Sequence, residues 1–171
     1  MQHMNCDLFE ILNLHPAINP VDLESGANNG VVISLKGYAG VGIVLQKKAG
    51  TAGDDPVFTV TQCSAVAGTG EKALNFTRIY SKLHATTVPG TWTQTTQAAG
   101  NTYTDDTAAE KSGFIGVDIK AEMLDQANGF DCVRLAIPDT GSAGAELGAA
   151  FYILYGPRYA PGAAMLSPIV D

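Results

Sequence analysis

Three histidines, three cysteines and two aspartate pairs are the residues of this chain best suited to chemistry, and their spacing argues against most of it. His3, His15 and His84 fall in no HExxH or comparable ligand spacing. His3 and Cys6 could share one metal only if the terminus were locally helical, and a single His and Cys at a chain end do not complete a site. Cys6, Cys63 and Cys132 are odd in number and widely scattered, so they read as reduced thiols rather than a disulfide framework. Cys132 sits inside a strand pattern, where free cysteine behaves as a small buried hydrophobe. Asp54-Asp55 and Asp105-Asp106 lack the alternating oxygen ligands of a calcium loop and are expected to be solvated loop charge. There is no Gly-x-Ser-x-Gly elbow, and no Cys–His nucleophile pair can be placed from spacing. No catalytic, cofactor-binding or metal residue is therefore assigned, and a non-enzyme is expected.

Two further features invite a binding role. Gly37-Tyr38-Ala39-Gly40-Val41-Gly42 has the glycine density of a phosphate loop but lacks a Lys-Ser/Thr ending, and no helix pattern follows. A hairpin turn between two strands is the expected reading. Trp92, with Tyr103 nearby, could stack on a sugar, although an isolated Trp in a threonine-rich strand is more often packing.

The elements that would carry these residues alternate with period two. Val31, Ile33 and Leu35 open the pattern, and Val41, Ile43, Leu45 and Lys47 continue it on one parity. Val57 to Cys63 follows, with Phe58 and Val60 inward. From Lys72 to Ala85 the apolar phase slips between Phe76 and Ile79, which predicts a bulge or a bend between two sheets. Thr86 to Thr104 is threonine-rich, as exposed strand edges often are. Ile115, Val117 and Ile119 share a face, Ala121 to Asn128 suits a helical turn, and Gly129 would end it. About eight short strands set apart by Gly, Pro, Asp and Asn predict an all-β fold, a jelly-roll-like or immunoglobulin-like β-sandwich. The first 24 residues read as a short helix or an extended arm: Asp7 and Glu10 resemble a capping box, while Pro16 and Pro20 oppose a longer helix. The expected organisation is an arm over 1–24, a sandwich over 25–156 and a docking arm over 157–171.

Composition narrows the partners. Only 16% of the 171 residues are charged and 46% are hydrophobic, so much of the surface is not ordinary solvent-facing surface. Seventeen acidic residues face ten Lys and Arg, which argues against nucleic-acid phosphates and anionic membranes as partners. No run reaches the ~18 apolar residues of a membrane span. Asp7 and Glu10, with no basic region ahead of them, argue against a secretory signal.

The last third carries the strongest pattern. Val133, Leu135 and Ile137 make a half-buried strand. In Leu147 to Tyr155 both parities are apolar: Ala149, Phe151, Ile153 and Tyr155 one way, Ala150, Tyr152 and Leu154 the other. An antiparallel sheet usually shows one face to water, so Tyr152 and Leu154 are expected at a self-association surface. Beyond them, Pro157, Arg158 and Tyr159 begin a segment that bars helix and central strand, and Met165, Leu166, Ile169 and Val170 make it apolar. These residues are the expected oligomer and docking contacts.

Here a resemblance enters. Phe130-Asp131-Cys132-Val133-Arg134-Leu135-Ala136-Ile137, a Gly/Ala loop, Gly148 to Tyr155, and Gly156-Pro157-Arg158-Tyr159-Ala160 resemble the end of small virion proteins encoded in head-gene clusters of tailed bacteriophages. Asp22 to Lys36 followed by Gly42 to Lys48 is similar to the way such chains enter their first hairpin. The resemblance implies a capsid decoration, or cement, protein without enzymatic activity or cofactor. Its partners would be the major capsid protein and copies of itself, as a homotrimer on the outer surface of the virion, after synthesis in the host cytoplasm. The rival expectation is a tail or fibre component, or a module that holds a host glycan.

Overall fold

The computed structural model describes residues 8–84, 90–106, 111–141, 144–158 and 167–169. Among these, one helical turn, α1 (Leu8–Ile11), precedes twelve strands. The first six are β1 (Leu12–Asp22), β2 (Asn28–Asn29), β3 (Ile33–Ser34), β4 (Tyr38–Lys47), β5 (Val57–Cys63) and β6 (Lys72–Ala73). The remainder are β7 (Phe76–His84), β8 (Thr93–Gly100), β9 (Thr102–Thr104), β10 (Ser112–Lys120), β11 (Cys132–Ile137) and β12 (Leu147–Pro157).

Alternation of side chains gives each long strand one apolar face, and the two sheets bury those faces against each other. Sheet one runs β1-β12-β4-β10-β7-β8, all antiparallel. Sheet two runs β2-β11-β5-β6, with β3 also on β11 and β9 also on β5. Between them lie Val41, Ile43 and Leu45 of β4, Ile115, Val117 and Ile119 of β10, Phe58 and Val60 of β5, and Val133, Leu135 and Ile137 of β11. Phe58 meets Phe76 edge-on across the layers, ring centroids 6.4 Å apart at 82°. The fold is an all-β sandwich.

The phase slip after Lys72 marks a change of sheet. β6 pairs with β5 in sheet two, the chain turns at Leu74 and Asn75, and β7 joins sheet one with a register shift between Phe76 and Arg78. The threonine-rich β8 is the exposed outer strand of sheet one. Two short 3-10 turns cover Ala121–Met123 and Gln126–Asn128, and Gly129 ends the second in the left-handed region, φ 80°.

Two expectations are corrected. Gly37 does not close a hairpin: β3 pairs with β11 in sheet two, whereas β4 lies between β12 and β10 in sheet one. The turn at Lys36–Gly37, where the Tyr38 amide donates to the Leu35 carbonyl, therefore crosses from one layer to the other. The opening segment holds the short helix that one alternative expected, α1 at Leu8–Ile11, and is extended from Leu12, but Leu12 onward belongs to the sandwich rather than to an arm. β1 tolerates Pro16 and Pro20 because it is an outer strand and its register shifts on both sides of Ile18. Ala17 and Ile18, between the prolines, turn into the core.

Candidate functional site

Both faces of β12 are apolar, and the structure shows which one is the core. Ala150, Tyr152 and Leu154 are fully buried inside the chain's own sandwich, while Ala149, Phe151, Ile153 and Tyr155 lie half-buried on the outer face. The expectation that Tyr152 and Leu154 meet another copy is therefore corrected: neither reaches the surface. Tyr152 instead joins the two sheets. Its hydroxyl accepts from the Leu135 amide at 2.8 Å and donates to the Val31 carbonyl at 2.9 Å. β11 pairs with β3 at Cys132–Val133 and with β2 at Ala136–Ile137, so this hydroxyl fills the gap between those two short pairings. Burial pushes the Tyr152 hydroxyl pKa far up, which keeps it neutral and able to donate.

The other expected contacts gather at one end of sheet one. Tyr155 and Pro157 of β12 lie opposite Gly40 and Tyr38 of β4, and β10 finishes at Lys120 opposite the same Gly40. Arg158 turns back on its own chain: its amide donates to the Gly37 carbonyl at 2.9 Å and its Nε to the Tyr38 carbonyl at 3.2 Å. α1 packs on β1 and β12 at this end and carries two exposed apolar side chains, Leu8 and Phe9, the latter 72% exposed. Arg158 also lines, with Lys36, Leu35, Leu124 and Phe130, a recess of about 180 Å³. Lys36 pairs with Asp131 in its wall at 3.5 Å. The end of the C-terminal segment returns to the sandwich, where the Ser34 amide donates to the Pro168 carbonyl at 2.6 Å. Pro168 is buried and Ile169 is 49% exposed. Tyr159, Met165, Leu166 and Val170 lie outside the described residues.

The aspartate pairs are corrected in half. Asp55 and Asp106 stay at the surface, but Asp54 and Asp105 are buried. Asp105 Oδ2 stands 2.9 Å from the fully buried Lys47 Nζ, which also donates to Glu146 Oε1 at 3.1 Å. Burial alone would lower the Lys47 pKa; the two carboxylates outweigh it and hold it above the ordinary lysine value. Partial desolvation, then repulsion from Asp106 and Asp105, raises the nearby Asp55 carboxyl. One signal was visible: Lys47 continues the inward parity of Val41, Ile43 and Leu45. Its partners, 58 and 99 residues further along, had none. The cluster ties the loop before β12 to β4 and the loop after β9, a structural task, since Lys47 already fills the place a cation would take.

Among the described residues, no group of three His, Cys, Asp or Glu could hold a metal ion. Cys63 and Cys132 are register partners on β5 and β11, buried and not disulfide-bonded. His3 and Cys6 fall outside the described residues. No described helix is long and apolar enough to cross a membrane.

The fold and these surfaces define a class: an all-β sandwich with apolar side chains exposed at its chain ends and a buried charge cluster that braces its loops. No protein-family model matches the chain, and no curated protein matches it. Among solved structures it is similar to the CBM22-1–GH10 modules of the N-terminal endo-1,4-beta-D-xylanase 10B of Clostridium thermocellum, complexed with xylohexaose. The identity is 12% and the TM-score 0.33. The match covers 91% of this chain and 28% of that chain. At that score the likeness carries no argument about function.

Proposed function

We propose that this protein is a non-enzymatic virion component, a decoration protein that binds the major capsid protein on the outside of a phage head and stabilises the shell. The observation that carries this reading is the exposure of Leu8 and Phe9 at the end of sheet one where Pro157 and Arg158 lie. Burying such side chains against a partner contributes roughly 1.5–3 kcal/mol each before ordering costs. Two per subunit are a weak anchor alone, and the copies of a homotrimer would add them by avidity across neighbouring capsid subunits. The role is mechanical: a rigid sandwich bridges subunits and resists the pressure of packaged DNA. The acidic balance suits an outer position, away from nucleic acid.

The test compares heads assembled with and without the protein. Decorated heads should retain DNA to higher temperature than bare ones. Heads carrying Leu8→Asp/Phe9→Asp protein should behave as bare heads while the free variant melts like the parent. Equal heat resistance of bare and decorated heads refutes the shell role.

A further inference from the structure

The opposite end of sheet one carries a surface of different chemistry. Two rows of outward side chains cross β12, β4, β10 and β7 there. One runs Ala149–Gln46–Phe114–Lys82 and the other Leu147–Lys48–Ser112–His84. Over these rows lies an open groove of about 440 Å³ walled by Gln46, Lys48, His84, Ser112, Phe114 and Leu147, with Lys82 flanking it beside Phe114, a volume within the roughly 300–1,000 Å³ usual for small-molecule sites. Trp92 sits one residue beyond the Ser81–Thr93 register pair, next to Lys82. The residue is 57% exposed, and its ring is inclined at 34° to Phe114, with centroids 6.5 Å apart.

From this arrangement we infer that the groove binds an acidic saccharide, a sugar chain bearing carboxylates. Trp92 and Phe114 offer apolar faces to the C–H side of sugar rings. Gln46 is exposed and supplies an amide to sugar hydroxyls. Ser112 Oγ accepts from the Ala49 amide at 2.9 Å, which leaves its O–H to donate. The charge chooses among sugars. The chain is −7 overall, yet these two rows hold Lys48, Lys82 and His84 and no acid. Among the described residues neither Lys48 nor Lys82 makes an ion pair. A carboxylate would complete charge-assisted hydrogen bonds with them. Only two lysines and one inclined aromatic pair disfavour a nucleic-acid strand, which needs a longer basic track and successive stacking platforms. The inference does not rest on the shell-binding role, which uses the other end of the sheet.

Trp92 is the sole tryptophan, so its fluorescence reports on the groove in the intact protein. Trigalacturonate should shift its emission at millimolar concentration or below, and raised salt should weaken the effect. The neutral maltotriose should bind at least about tenfold more weakly, the loss of one charged contact. Lys48→Glu/Lys82→Glu should abolish the response to trigalacturonate, whereas Lys120→Glu at the far end should leave it unchanged. Calorimetry on Trp92→Ala should show binding lost while the melting temperature holds. No response to trigalacturonate or to 3′-sialyllactose overturns the inference. So do equal affinities for maltotriose and trigalacturonate, tighter binding of a thymidine oligonucleotide, or an unaltered response in the double lysine variant. Heads decorated with the lysine variant should keep their heat resistance, which separates failure of this inference from failure of the shell reading.

Discussion

Tyr152→Phe removes one oxygen atom, and the structure sets what that should cost. The lost hydroxyl serves two backbone groups, the Leu135 amide at 2.8 Å and the Val31 carbonyl at 2.9 Å. Val31 is partly exposed, so its carbonyl can turn to water. The Leu135 amide cannot, because Leu135 and Tyr152 are both fully buried. The space vacated by a hydroxyl is smaller than the ~30 Å³ share of a water molecule, so no solvent replaces it. The amide is left unsatisfied at about 1–3 kcal/mol. For a chain of this length each kcal/mol moves the melting temperature roughly 2–4 °C, so a fall of about 2–12 °C is expected by calorimetry. The same variant should sediment as the parent does, because residue 152 has no surface through which to hold a neighbour. A melting temperature within about 1 °C of the parent would refute the account of Tyr152 as the link between sheets. A changed oligomer with unchanged stability would restore it as an interface residue.

Other substitutions test the remaining parts. Lys47→Met should cost about 3–5 kcal/mol in denaturant titration, since it leaves Asp105 and Glu146 buried without their cation; a loss below 1 kcal/mol would place those carboxylates in water. Because Lys47 is held above its ordinary 10.5, its contribution to stability is complete below that pH and lost as pH rises through the higher folded value. The melting temperature of the parent should therefore fall more steeply above pH 10.5 than that of Lys47→Met, and parallel curves would contradict the assignment. Leu154→Ala should cost about 2–5 kcal/mol as a core truncation without altering the oligomer; dissociation at unchanged stability would point to an interface instead.

Local patterns of residue type were enough to specify much of this molecule. Alternation placed Phe58, Val60, Ile115, Val117 and Ile119 on core faces, because a strand side chain's direction depends only on its parity. The phase slip near Phe76 announced the change of sheet, and Gly129 the end of its turn, since both are properties of a few adjacent residues. Partner choice is not local. Which parity of β12 faces inward depends on sheet two lying over Tyr152 rather than over Phe151. Whether Leu35 and Tyr38 bound a hairpin or a crossing depends on β11 being available to β3. Pro16 and Pro20 forbid a central strand, yet an outer one accepts them once β12 offers its edge. Lys47, Asp105 and Glu146 look in sequence like three separate charges, and only the folded chain brings the two carboxylates to 2.9 and 3.1 Å from the Lys47 ammonium with all three side chains buried. Residue type sets what each position can bury; the tertiary structure alone decides what it is buried against.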